Sequence, residues 1–201
     1  MITIIDYGMG NLGSVLNMFK RIGAKAVVTG DLPVIANAKK LLLPGVGAFD
    51  NAMSRINESG LREILDRKAV VERTPILGIC LGMQLLTKSS EEGKIPGLGW
   101  IAASTRRFPA VAGLKVPHMG WNEVIPTRES ALTHCLPGGA RFYFVHSYFV
   151  SVENQQDSIL KATHGVCFDA AIQHGNIFGA QFHPEKSHRF GLQLLKNFAS
   201  L

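Results

Sequence analysis

Two short stretches carry the side chains best suited to covalent chemistry. In Gly78-Ile79-Cys80-Leu81-Gly82 a cysteine stands between two glycines at the end of an apolar run. That spacing fits a buried strand turning sharply into a helix with a nucleophile at the join, where a β-carbon on either flank would strike the strand or the helix. A thiol placed there is lifted off the sheet edge and sits at the positive end of the helix, which stabilises its thiolate. The next amide, of Leu81, is left free to donate to a developing oxyanion. The second stretch is Phe182-His183-Pro184-Glu185. Pro184 biases His183 toward extended geometry, and on an extended backbone His183 and Glu185 share a face. A carboxylate on one ring nitrogen sets the tautomer and leaves the other nitrogen to work on a thiol. Alone, a cysteine in an apolar run is a small buried hydrophobe and a His-Pro-Glu is a surface turn. Together they supply nucleophile, base and orienting group: Cys80, His183 and Glu185.

A third stretch, Leu43-Pro44-Gly45-Val46-Gly47, also ends an apolar run. Glycines there let the backbone approach a ligand and turn amides inward. Gly8-Met9-Gly10-Asn11-Leu12-Gly13 spells a dinucleotide fingerprint, with Asp31 near the place where a ribose-binding acid belongs. The match is partial, because Asp31 falls past the expected strand end. The competing explanation is a tight turn that packs the first helix on the sheet and presents Asn11 outward. No histidine pairs with cysteines at zinc spacing, so no metal and no cofactor is expected. Arg106-Arg107-Phe108 lacks any accompanying nucleic-acid module and reads as a solvated face.

The elements that must hold these groups follow from periodicity. Ile2–Ile5, Lys25–Thr29, Lys40–Leu43 and Ile76–Ile79 are strand candidates, dense in apolar and β-branched residues. Between them lie a helix with Val15, Leu16, Phe19 and Ile22 on one face, stopping at Gly23, and a short helical segment Leu32–Ala38. Two helical stretches broken at Gly60 follow within Ala48–Val70, and a helix Leu81–Thr87 springs straight from the fourth strand. Alternating strands and helices imply a mainly parallel sheet covered on both faces, with ligands outside the carboxyl ends of the strands. The second half is richer in strands: Trp100–Thr105, Val116–Ile125, Phe142–Val150, Ile159–Ala162, Phe168–Gln173 and Ile177–Phe182. The last two are joined by a hairpin turn at His174-Gly175-Asn176. A closing helix shows Leu194, Leu195, Phe198 and Leu201 on one face. The expected fold is α/β, three-layered, with a mainly parallel central sheet and an antiparallel C-terminal extension.

With 201 residues, 46% hydrophobic and 18% charged, the chain lies far from disordered composition and suits one domain over 1–201. Its net charge of +6 favours anionic neighbours. Three cysteines do not suggest a disulfide framework; a reducing compartment fits, with Cys135 and Cys167 as structural residues. No signal peptide and no spanning run of about 20 apolar residues is visible, so a cytoplasmic protein without membrane contact is expected.

Taken together, Pro44-Gly45-Val46-Gly47, Gly78-Ile79-Cys80-Leu81-Gly82 and His183-Pro184-Glu185 resemble the triad-type, class I glutamine amidotransferases, whose fold is flavodoxin-like. Pro117-His118-Met119-Gly120-Trp121-Asn122-Glu123, Tyr143-Phe144-Val145-His146-Ser147-Tyr148 and Gln181-Phe182-His183-Pro184-Glu185-Lys186-Ser187 narrow the likeness to the glutaminase subunits of imidazole glycerol phosphate synthases. It runs over essentially the whole chain. The resemblance implies hydrolysis of glutamine to glutamate and ammonia through a Cys80 thioester, with backbone amides of Val46, Gly47 and Leu81 holding the oxyanion. Gly45, Gly47, Gln84, Glu92, His146, Ser147 and Tyr148 would bind glutamine, with Glu91 as an equally placed alternative to Glu92. It also implies a heterodimer with a (β/α)8 cyclase subunit that takes the ammonia in L-histidine biosynthesis. Asn11, Met119, Trp121, Asn122 and Lys186 would lie on the docking side, and 201 residues leave no room for a fused synthase of roughly 250 residues. Three competing readings remain: the glutaminase subunit of another amidotransferase, a same-fold cysteine hydrolase, and a nucleotide or nucleic-acid binder resting on the glycine fingerprint.

Overall fold

A computed structural model describes all 201 residues. The first half alternates as the periodicity predicts: β1 (Ile2–Ile5), α1 (Leu12–Arg21), β2 (Ala26–Thr29), α2 (Leu32–Ala36), β3 (Leu41–Gly45), α3 (Phe49–Glu58), α4 (Leu61–Asp66), β4 (Ile76–Cys80) and α5 (Leu81–Leu85). Gly60, at φ 75°, divides α3 from α4, and α4 runs on into a π-helical turn at Arg67–Val71. The second half holds β5 (Ser89–Ser90), β6 (Ala103–Arg107), β7 (His118–Glu123), β8 (Ile125–Pro126), β9 (Arg141–His146), β10 (Tyr148–Val152), β11 (Ser158–His164), β12 (Val166–His174), β13 (Ile177–Ala180) and α6 (His188–Ser200).

The main sheet runs β2-β1-β3-β4-β13-β12-β10-β6-β5, with β11 beside β12 and β8 beside β11. Every pairing from β2 to β13 is parallel, and the sheet turns antiparallel at β12. Strands β7 and β9 form a separate antiparallel ribbon. Side chains of the parallel strands alternate between two cores. Ile2, Ile4, Leu42, Leu77 and Phe178 meet α1 and α6 on one face, while Ile5, Leu41, Leu43, Ile76 and Ile177 meet α3, α4 and α5 on the other. A strand buried on both faces has no polar side to show, which is why these segments read as continuous apolar runs. Each large side chain fully withdrawn from water contributes roughly 1.5–3 kcal/mol.

Several expectations need correction. Val116–Ile125 divides between β7 in the ribbon and β8 beside β11, because the chain changes sheet at Val124. Phe108, read with Arg106 and Arg107 as a solvated face, is buried in the core, its apolar ring withdrawn from water while the two arginines at the end of β6 stay exposed. Phe142–Val150 is not one strand: the chain leaves the ribbon at His146, bends at Ser147, and enters the main sheet at Tyr148. The run is apolar throughout because both strands bury a face, and periodicity carries no mark of the change of sheet. Leu201 is exposed beyond the end of α6, and the buried face of that helix is formed by Gly191, Leu194, Leu195 and Phe198.

Candidate active site

Cys80 is the last residue of β4 and stands at φ 55°, ψ −111°, in a region that a residue with a β-carbon seldom occupies. The flanking glycines are dictated by contact. A β-carbon on Gly78 would lie 2.5 Å from the Gly82 carbonyl oxygen, and one on Gly82 would lie 1.9 Å from that of Leu43. The sulfur-bearing residue is only 7% exposed. Leu81 opens α5, and the N–H groups of a helix's first turn find no acceptor within the helix.

Sheet topology brings the other groups to the same edge. β4 lies between β3 and β13 with all three parallel, so the Val46-Gly47 loop, Cys80 and the Gln181–His183 segment lie side by side at the sheet's edge. The His183 N–H donates to the Tyr143 carbonyl (2.9 Å), and the Ser187 hydroxyl donates to the His183 carbonyl (2.6 Å) while accepting the Tyr143 N–H (3.0 Å). His183 is thus clamped through its backbone. Beyond it the chain does not stay extended as expected: Pro184–Lys186 is a 3-10 turn, since proline favours the first turn of a helix. Glu185 still reaches back, and His183 Nδ1 donates to Glu185 Oε1 at 2.7 Å with both side chains buried. The opposite ring nitrogen, Nε2, is buried without a hydrogen-bond partner. Burial acts to lower the titration of His183, but the Cys80 thiol and the Glu185 carboxylate outweigh it and push the ring up to about 10. The site thus favours the protonated ring.

A cavity of about 400 Å³ opens beside Cys80 and His183. Val46, Gly47 and Leu81 line it, Gly47 at φ 103°. So do Gln84, Glu92, His146, Ser147, Tyr148 and Lys186. Glu92, rather than Glu91, turns toward it. Glu92 accepts the N–H of Phe49 at the start of α3 (3.0 Å), and burial, with help from Asp50, raises its carboxyl above the ordinary range against that hydrogen bond. The Glu91 carboxylate is engaged by the Arg107 N–H instead (2.7 Å). Gly45 is the last residue of β3 and does not line the cavity; a β-carbon there would meet the Tyr7 hydroxyl at 2.8 Å and the Gly82 nitrogen at 2.9 Å.

Of the expected docking residues, Met119 (62% exposed) and Trp121 (39%) share the outer face of the β7–β9 ribbon. Trp121 stacks on His188, and the Lys186 ammonium lies 5.7 Å from the Tyr143 ring centre. Asn11 is exposed ahead of α1. Asn122 departs from the group, because a strand alternates: its side chain is on the inner face, donating to the Thr163 carbonyl at 2.8 Å. The fingerprint acid Asp31 is spent capping α2, where it accepts the Val34 N–H (3.0 Å), and Met9 of the glycine loop packs toward Gly47. Cys135 and Cys167 are exposed rather than structural.

Sequence reasoning missed Tyr7, whose buried hydroxyl donates to the Pro44 carbonyl (2.7 Å) and braces the strand end beneath Val46 and Gly47. Burial foremost, then the Cys80 sulfur, raise its titration, with Arg55 opposing. His118, 2.9 Å from His146, was missed as well. Neither has a local signature, since each acts through a residue distant in sequence.

The sequence profile of the family described as Glutamine amidotransferase class-I matches residues 3–200. The chain is 48% identical to imidazole glycerol phosphate synthase subunit HisH of Bdellovibrio bacteriovorus, over the full length of both. It is 51% identical to subunit HisH 2 of Methanococcus maripaludis, over 98% of each. Among solved structures it resembles a protein described as a glutamine amidotransferase (TM-score 0.75, 18% identity, all of both chains). It also resembles a glutamine amidotransferase from Thermotoga maritima (TM-score 0.68, 17% identity, 99% of this chain and 82% of the other). The two solved structures speak to the fold, and the profile and close relatives to the family: the chain belongs to the class-I glutamine amidotransferases and, within them, to the HisH subunits of imidazole glycerol phosphate synthase.

Proposed function

We propose that this chain, acting as one domain over residues 1–201, hydrolyses glutamine and delivers the ammonia to a cyclase subunit, with Cys80, His183 and Glu185 as its catalytic residues. The observation that carries the reading is a strained Cys80 at a strand–helix elbow beside a buried His183–Glu185 pair 2.7 Å apart. His183 holds the proton taken from the thiol, and Glu185 stabilises the resulting imidazolium. The sulfur attacks the side-chain amide carbon of glutamine, and the oxyanion so formed is met by the N–H groups of Leu81 and of Val46 or Gly47. His183 protonates the departing nitrogen, ammonia leaves, and a thioester remains. Water then attacks the thioester carbon, giving a proton to His183, and the C–S bond breaks to release glutamate. Glu92 suits the substrate ammonium, because its second oxygen is free while the first is held by Phe49 N–H. Gln84, His146, Ser147 and Tyr148 form the remaining wall.

Ammonia released into water is mostly protonated and no longer a nucleophile, so a closed path to a partner is expected. The partner is a (β/α)8 cyclase that joins ammonia to a phosphorylated ribulosyl aminoimidazole carboxamide. Docking uses Asn11, Met119, Trp121 and Lys186, in a cytoplasmic heterodimer. Exposure of Met119 and Trp121 beside a cavity that Lys186 lines supports that face. A diazoketone analogue of glutamine should leave one adduct, at Cys80, on peptide mass analysis, and Cys80→Ala should abolish glutamine hydrolysis in the complex. An adduct elsewhere, or hydrolysis surviving in Cys80→Ala, overturns the assignment. Stimulation of hydrolysis by the cyclase and its nucleotide ligand tests the partner.

A further inference from the structure

Gln181 is fully buried at the end of β13, and its side-chain nitrogen lies 3.9 Å from the Cys80 sulfur. Whether that contact helps or opposes a negative sulfur depends on which end of the amide faces it. The neighbours decide. Gln84 places Nε2 3.0 Å from the Tyr148 carbonyl, which only accepts, so that atom is the amide nitrogen. Its second N–H goes to Gln181 Oε1 at 3.2 Å. With the oxygen of Gln181 so engaged, its N–H points at sulfur.

The same logic continues in the other direction. The Tyr148 carbonyl also receives His146 Nδ1 at 2.8 Å, which puts the His146 proton on Nδ1 and leaves Nε2 as an acceptor. His118 Nδ1, 2.9 Å from that Nε2, must then be the donor, and His118 Nε2 in turn accepts from the Asn122 amide at 3.2 Å. Burial keeps both rings neutral, with His118 down to about 4, helped by His164, and His146 down to about 3. No second proton interrupts the order at neutral pH. The hydrogen bonds therefore have one consistent direction from Asn122 through both histidines to Tyr148, and from Gln84 through Gln181 to the sulfur.

We propose that Gln181 is a further catalytic residue, donating its N–H to the Cys80 thiolate, and that His118 is a positioning residue fixing the His146 tautomer and thereby the Tyr148 wall of the cavity. The proposal rests on the reading of Cys80 as nucleophile. The donor stabilises sulfur before attack and again when the C–S bond of the thioester breaks and the electron pair returns to it. Gln181 therefore acts on turnover, and His118 on substrate binding.

The test uses the full chain with its cyclase. Gln181→Glu keeps an acceptor for Gln84 but turns oxygen toward sulfur; Gln181→Met keeps the length and removes the donor, and either serves if circular dichroism shows a folded chain. Each should lower kcat about tenfold or more with little change in KM. Alkylation of the Cys80 peptide by iodoacetamide at pH 7 should slow by a similar factor, with the exposed Cys135 and Cys167 peptides labelled as before. His118→Phe keeps an aromatic ring against Phe144 but cannot donate, and should raise KM about tenfold. His118→Asn, whose amide can reach His146, should restore most of that loss. Unchanged kcat and labelling in folded Gln181 variants, or equal KM for His118→Phe and His118→Asn, overturns the proposal while leaving Cys80 as nucleophile. Hydrolysis persisting in Cys80→Ala instead removes the reading beneath it.

Discussion

Among single residues, His183 carries the clearest pH signature. In the unfolded chain an imidazole titrates near 6.5, whereas in the folded site it titrates at about 10. The folded state therefore holds its proton more tightly, and the associated stability is complete below pH 6.5 and is lost as pH rises through 10. His183→Gln should remove this contribution, so the gap between the urea midpoints of the two proteins should shrink as the buffer moves from pH 6 to pH 10. A gap independent of pH would place the extra proton elsewhere. The proposed triad could be picked out in the sequence because its members sit in local patterns, a cysteine between glycines and a histidine two residues before a glutamate. Gln181, Tyr7 and His118 could not, because their roles depend on partners far away in the chain: Gln84 for the first, Pro44 for the second, His146 for the third.

Among elements, the elbow between β4 and α5 is set by how closely β3 runs past it. The 1.9 Å approach that a β-carbon on Gly82 would make is to the carbonyl oxygen of Leu43, a strand backbone that cannot rotate away. Gly82→Ala should destabilise the protein by about 3 kcal/mol through overpacking and should separate Cys80 from Val46 and Gly47. Urea unfolding with an unchanged m-value checks the first, and loss of diazoketone labelling in the folded fraction checks the second. The parallel half could be read from sequence because strands covered on both faces are apolar throughout and are punctuated by helices. The antiparallel half was harder to parse for the same physical reason. An apolar run such as Phe142–Val150 satisfies two successive strands in different sheets as well as one, and only the tertiary pairing at His146 and Tyr148 separates them.

At the scale of the molecule, the +6 charge and the outer face of the β7–β9 ribbon bear on the proposed docking of a partner. Trp121→Asp should weaken association with the cyclase by about 2 kcal/mol, as for a central aromatic anchor, and leave the chain's own unfolding nearly unchanged. Titration calorimetry and urea unfolding of the same variant separate the two. Association should also slow as salt rises if the positive surface steers it. Sheet order has a further consequence, for the making of the protein. β13 is the last strand in chain order, made after both β4 and β12, yet it is inserted between them in the middle of the sheet. Until then β4, buried along its whole length in the finished fold, has one unpaired edge, an adhesive surface that invites a helper or a rapid finish. The segment that closes that edge is followed at once by His183. On the proposed roles, the chain acquires its base only as the gap beside the strand of Cys80 is filled, and a copy that stops short of β13 should not turn over glutamine.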